Sequence, residues 1–118
     1  MSIIYQILNA LLCIGMAYFD AETIADHKYP NHFRNGCIHI AIVLLAGFIF
    51  NWWIAAAILF ESKLVFDMAL NKFRNFSLFR VSPKPTAITD RAEKWLFGLD
   101  GITPKIIYLL ISFVFNHL

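Results

Sequence analysis

The stretch CIHIAIVLLAGFIFNWWIAAAILF, residues 37–60, contains 24 residues and no Asp, Glu, Lys or Arg. A helix needs about 20 apolar residues to cross a bilayer, so one helix could span it. Asn51, Trp52 and Trp53 would then lie near mid-membrane, where an amide costs free energy and tryptophan is less favoured than at the interface. We therefore predict a hairpin with FNWW at its tip and helices over about 33–50 and 53–72. One long helix, giving three spans in total, is the alternative.

The composition of the whole chain points to a membrane protein. Of its 118 residues, 59% are hydrophobic and only 15% are charged, and the mean hydropathy is +0.63. A soluble domain of this size could not bury so much apolar surface. Two more apolar blocks occupy residues 2–19 and 104–118. We expect a single all-α domain over residues 1–118, a polytopic membrane protein with about four transmembrane helices and a short cytoplasmic interfacial helix.

Basic residues predict the orientation of these helices. Seven of the ten Lys and Arg residues lie between residues 72 and 105, which the positive-inside rule places in the cytoplasm. In the hairpin topology, residues 20–36 fall on the same side. We expect an integral protein of a bacterial inner membrane whose partners are anionic lipid headgroups. Acidic residues interrupt the basic segment, which carries no recognition motif, so we expect no nucleic-acid partner.

Local signals in the basic segment predict the start and end of one short helix and the start of the last helix. In SPKPTAITDRAEKWLFG, residues 82–98, Asp90 precedes Glu93 by three positions, which is typical of a capping box at the start of a helix. Gly98 is suited to end that helix. Thr103 is the expected N-cap of the last helix.

Polar residues in the first three helices are spaced to share faces. Residues three or four apart lie on one side of a helix, and in the hairpin topology three such faces end at the cytoplasmic boundary. They carry Asp20, Thr23 and His27 on the first helix, His32, Asn35 and His39 on the second, and Lys63, Asp67, Asn71 and Arg74 on the third. The sequence therefore predicts a polar site at that boundary.

Several residues in this region have the chemistry to bind a small ligand or a divalent metal. Carboxylate and imidazole groups are common metal ligands and can activate water, although no HExxH or comparable spacing occurs. A metal would use Asp20, His39 and Asp67. The ligand or metal candidates are Asp20, His27, His32, His39, Asp67 and Asn71, with Glu61, Lys63, Arg74 and Asp90 in supporting positions.

Structural roles for the same residues stay open. Asp67 could belong to a network in which Lys63 and Arg74 neutralise its charge. His27 and His32 could be solvated loop residues, and His39 could be a core histidine.

Three classes of function fit the pattern. The first is a membrane protein that binds a metal or small ligand at this site and acts on a membrane-associated substrate. The second is an oligomeric channel or transport subunit in which Glu61 meets a neighbouring copy or a polar pathway. The third is a phage-type lysis or membrane-interaction protein without catalysis. Each class is compatible with a homo-oligomer or a larger membrane complex.

Two segments carry a family resemblance. FDMALN, residues 66–71, and residues 82–98 resemble small integral membrane proteins of bacteria and their phages. The resemblance draws attention to Asp67, Asn71 and Asp90, and it implies no particular activity.

Overall fold

The computed structural model describes residues 2–81 and 88–118, and in these residues all regular secondary structure is α-helical. The all-α class is therefore confirmed. The five helices are α1 (Ser2–Ala25), α2 (His32–Ile49), α3 (Trp52–Phe73), α4 (Ile88–Phe97) and α5 (Ile102–Asn116).

Two or three segments could cross a membrane. Helices α1 and α2 are long and apolar enough to do so, and α4 and α5, which meet at 113°, could form one bent span. Helix α3 has sufficient length, with 22 residues, but Glu61, Lys63 and Asp67 lie in its middle. The arrangement is that of a helical membrane protein, and the number of four spans stays a prediction.

The hairpin between α2 and α3 has its break at the predicted position. The side chain of Asn51 accepts a hydrogen bond from the backbone N–H of Ile54 at 2.9 Å, which caps the start of α3. The Trp52 ring packs so closely on Gly47 that a Cβ there would overlap it. Phe48 meets the same ring edge-on at 5.3 Å. These contacts exclude a continuous helix over residues 37–60.

Helix α3 is the centre of the bundle and packs against α1, α2 and α5. The α1 face that meets it carries Asn9, Cys13 and Ala17, and α3 contributes Ala55 and Ser62. Small side chains let helices approach closely in a bilayer, and hydrogen bonds then join them. Here the Asn9 amide donates to the Ser62 hydroxyl at 2.9 Å.

The outer faces of the bundle are apolar and exposed. Leu8 and Leu11 of α1 are 61% and 59% exposed, and Leu109 and Phe113 of α5 are 59% and 63% exposed. A contiguous apolar surface of this kind is unfavourable in water and suits contact with lipid chains. The exposed surface therefore agrees with the hydropathy of the chain.

Helix boundaries near α4 differ in part from the sequence prediction. Asp90 is not a cap, because α4 begins two residues earlier and Asp90 lies in its first turn. The cap of α5 is not Thr103 either. The N-cap position is Gly101, and the carboxylate of Asp100, three positions before Thr103, accepts from the backbone N–H groups of Ile102 and Thr103 at 3.0 and 3.1 Å. Gly98, with φ of 65°, ends α4 as predicted.

Candidate functional site

Nine of the ten polar residues selected from the sequence line one open cavity, with a volume of about 950 Å³. Glu61 is the exception. Apolar side chains supply much of the remaining wall, so the cavity combines a hydrophobic surface with a limited set of polar groups, as small-molecule sites commonly do. The nine are Asp20, His27, His32, His39, Lys63, Asp67, Asn71, Arg74 and Asp90.

Asp20 is on the buried face of α1 because that helix continues beyond Phe19 to Ala25. Only 1% of Asp20 is exposed. Its Oδ2 accepts a hydrogen bond from the Asn35 amide of α2 at 2.8 Å, whereas Oδ1 has no partner within the described residues. A buried carboxylate oxygen without a partner is costly, so a group placed in the cavity that donates to it would be favoured.

His39 lines the same cavity and carries a second buried atom without a partner in the described chain. Its ring lies edge-on to Phe66 of α3 at a centroid distance of 6.2 Å. The Nδ1 atom is buried and has no hydrogen-bond partner in residues 2–81 and 88–118. The structure therefore does not show the satisfied core histidine considered above.

Lys63 is the centre of the main charged network. Its ammonium group lies 2.7 Å from the Asp67 carboxylate and also forms an ion pair with Asp90. Glu93 is 3.8 Å away and accepts a hydrogen bond from the Tyr108 hydroxyl at 2.8 Å. One cation of α3 thus contacts acidic groups from its own helix and from α4, and Tyr108 connects the network to α5.

Arg74 does not neutralise Asp67, contrary to the structural network considered from the sequence. It follows the last residue of α3, and its guanidinium lies over the Phe76 ring at 4.9 Å. Arg80 lies over the same ring at 3.9 Å. Burial, and then the charge of Arg80, lower the pKa of Arg74 from its usual value.

Asn71 has a structural role in the loop after α3. Its side-chain amide donates to the carbonyl oxygens of Leu78 and Arg80 at 3.1 and 3.0 Å. These bonds hold the loop against the end of α3. The Asn71 side-chain nitrogen therefore already donates to two backbone acceptors.

The remaining candidates lie at the edge of the site or away from it. His27 and His32 are exposed at the rim, and His27 adopts φ of 59° just after α1 ends. Glu61 is partly buried outside the cavity and makes no hydrogen bond or ion pair with another described residue.

Sequence reasoning missed four side chains of the site. Glu93 lies three residues after Asp90 on one face of α4, and that spacing predicts a capping box instead of a site residue. Arg80 and Lys105 were counted only as part of a basic segment. For Tyr108, no local signal indicates a role, because its contact with Glu93 depends on how α5 packs against α4.

One cluster of three carboxylates has a geometry that could hold a metal ion, and its members differ from the set expected. Carboxylate oxygens of Asp67, Asp90 and Glu93 lie within 4.8 Å of one another, which suits a hard cation such as Mg²⁺ or Ca²⁺. Asp20 and His39 do not belong to this group. Because Lys63 already contacts all three carboxylates, a metal there would have to displace its ammonium group.

The comparisons with known proteins add no relative: no family model, curated protein or solved structure matches this chain.

Proposed function

We propose that this protein binds a small amphipathic molecule in the cavity, at the cytoplasmic boundary of a bacterial inner membrane. The observation that carries the proposal is the pair of buried atoms without partners, Asp20 Oδ1 and His39 Nδ1, in two residues that line a largely apolar cavity. Each atom would gain a hydrogen bond from a suitable ligand, and the apolar wall would cover its hydrocarbon part.

Asp20 is the main polar anchor in this proposal. Asn35 holds one carboxylate oxygen, and the other has no partner among the described residues, so a ligand hydroxyl or amine would supply the missing donor. His39 Nδ1 can donate or accept, depending on its tautomer. If the protein also acts on a membrane-associated substrate, Asp20 and His39 are the groups placed to transfer a proton.

The test is to identify small molecules that remain bound to the purified full-length protein. Asp20→Asn keeps the size of the side chain and an oxygen for Asn35, but it replaces the free carboxylate oxygen. We expect this variant to lose most of the bound molecule. Glu22→Gln is the matched control, because Glu22 is exposed on the same helix and does not line the cavity. Equal occupancy in the parent and both variants would contradict the proposal.

Glu61 favours a second candidate, an oligomeric channel or transport subunit. It is partly buried in α3 without a hydrogen bond or ion pair to another described residue, so a neighbouring copy could supply its partner. In this case Glu61→Gln would change the oligomeric state or ion conductance in vesicles. Unchanged assembly and conductance would remove the main support for this candidate.

A further inference from the structure

Two arginines at one end of the cavity have no acidic partner. Arg74 and Arg80 both line the cavity and both lie over the Phe76 ring, at 4.9 and 3.9 Å. Neither forms an ion pair with another described residue, and residues 1 and 82–87 contain no Asp or Glu that could supply one. The ring holds two like charges near each other, an arrangement that an anion between them would stabilise.

Lys105 adds a third cation to the cavity wall. It is only 4% exposed, and no ion pair joins it to another residue of the described chain. It lies in the first turn of α5, where the helix dipole disfavours a positive charge. The positive charge of this buried lysine is therefore stabilised neither by the dipole of α5 nor by an ion pair with a described residue.

Backbone contacts place Lys105 near the loop after α3, which carries Arg80. Gly101 and Lys105 are four residues apart, so they lie on the same side of α5. A Cβ at Gly101 would overlap the Phe79 carbonyl oxygen, which shows how closely that loop meets α5. The next carbonyl in the loop, that of Arg80, is held by Asn71. One end of the cavity is thus basic.

The acidic groups of the cavity do not pair with these three cations. Asp67, Asp90 and Glu93 all contact Lys63, and none of them forms an ion pair with Arg74, Arg80 or Lys105. Asp20 is held by Asn35. The three cations of the loop and α5 are left to interact with a ligand.

From this arrangement we infer that the cavity binds a phospholipid, with its phosphate at Arg74, Arg80 and Lys105 and its hydrocarbon along the apolar wall. The inference rests on the proposed function, because it names the class of the amphipathic ligand. Arginine side chains are well suited to phosphate because their planar donors can form paired hydrogen bonds. The apolar lining distinguishes a lipid phosphate from free phosphate.

The experiment titrates the full-length protein, in a neutral maltoside detergent, with three probes. These are dioctanoyl phosphatidylglycerol, dioctanoylglycerol, which lacks the phosphate, and inorganic phosphate. Calorimetry gives the dissociation constants. We expect one phosphatidylglycerol per chain, bound at least about tenfold more tightly than dioctanoylglycerol, because a charged hydrogen bond is worth about this factor.

Variants of the basic end supply the decisive comparison. Arg74→Gln and Arg80→Gln should each weaken phosphatidylglycerol binding about tenfold. In Arg80→Gln the backbone carbonyl that accepts from Asn71 is retained. Lys72→Gln is the matched control, since Lys72 is exposed at the end of α3 and does not line the cavity. This control should change the affinity less than about twofold, because surface charges contribute little.

Each contrary result has its own meaning. Equal binding of phosphatidylglycerol and dioctanoylglycerol, or equal losses in Arg80→Gln and Lys72→Gln, would overturn the phosphate assignment while leaving amphiphile binding intact. Competition by inorganic phosphate at an affinity similar to the lipid would replace the lipid with a free anion. If no probe binds saturably, the proposed function itself is contradicted.

Discussion

Lys63 lies one helical turn before Asp67 in α3, and its ammonium nitrogen is 2.7 Å from the Asp67 carboxylate. The same ammonium contacts Asp90 and Glu93 of α4. A lysine in the middle of a largely apolar helix would be costly alone, and here it is the cation that joins two helices. Much of the attachment of α4 to the bundle therefore depends on one side chain.

Replacing Lys63 should destabilise the protein strongly. Lys63→Met removes the shared cation and leaves three carboxylates together, two of them with little solvent exposure. We expect the free energy of unfolding to fall by about 3 kcal/mol, as for other buried ion pairs that lose one partner. Unfolding of the detergent-solubilised protein by a denaturant measures the loss. Lys72→Met, exposed in the same helix, should stay within about 0.5 kcal/mol of the parent, and equal losses would contradict this role of Lys63.

Metal binding should compete with Lys63. If Asp67, Asp90 and Glu93 can hold a divalent cation, Lys63→Met should bind Mn²⁺ more tightly than the parent, because no ammonium group has to be displaced. Adding Asp67→Asn to that variant should remove the gain. Elemental analysis and calorimetry measure both effects. Stoichiometric metal in the parent that is lost in His39→Ala would instead favour the site predicted from Asp20, His39 and Asp67.

The hairpin predicts that its tip and the loop after α3 lie on opposite sides of the membrane. Single cysteines at Asn51 and Ser77, both exposed positions, can be introduced in a Cys13→Ala, Cys37→Ala background. An impermeant thiol reagent added to sealed, oriented vesicles should label only one of the two. Labelling of both positions from one side would exclude a membrane-spanning α3.

Part of this architecture is readable from the sequence because the deciding signals are local. Asn51 beside two tryptophans indicates a helix break in an apolar stretch, and the break is at Phe50 and Asn51. Spacing of three and four residues places Asp20 and His39 on faces that do line one cavity. Both features follow from helix geometry alone.

The partners within the site could not be predicted in the same way. Lys63 contacts Asp90 across 27 positions of sequence, and Tyr108 reaches Glu93 from a different helix. Such contacts depend on how α4 and α5 fold back on α3, which periodicity does not specify. Arg74 illustrates the same limit, because its guanidinium lies over Phe76 of the loop that follows and forms no ion pair with Asp67.

The hydrogen bonds of Asp100 at the start of α5 predict a pH dependence of stability. Hydrogen bonds from the Thr103 hydroxyl and backbone, and then from the Ile102 backbone, lower the pKa of Asp100 from its ordinary value of 3.8. A lowered folded-state pKa means that the stabilisation is complete above the unfolded-state pKa and is lost as the pH falls through the folded-state value. Asp100→Ala should therefore unfold at a lower temperature than the parent near about pH 7, with the difference shrinking below about pH 4. A difference that is constant across this range would contradict a role for the ionised carboxylate.

Filling the cavity tests the central claim most directly. Gly36 lines the cavity and Gly15 lies on the exposed side of α1, and a Cβ added at either glycine meets no atom within 4 Å. The Cβ of Gly36→Phe therefore has room, its ring should fill part of the cavity, and Gly15→Phe is its matched control. Native mass spectrometry with dioctanoylglycerol measures occupancy of the site. We predict that Gly36→Phe abolishes binding while Gly15→Phe binds like the parent, and undiminished binding by a folded Gly36→Phe variant would contradict the account.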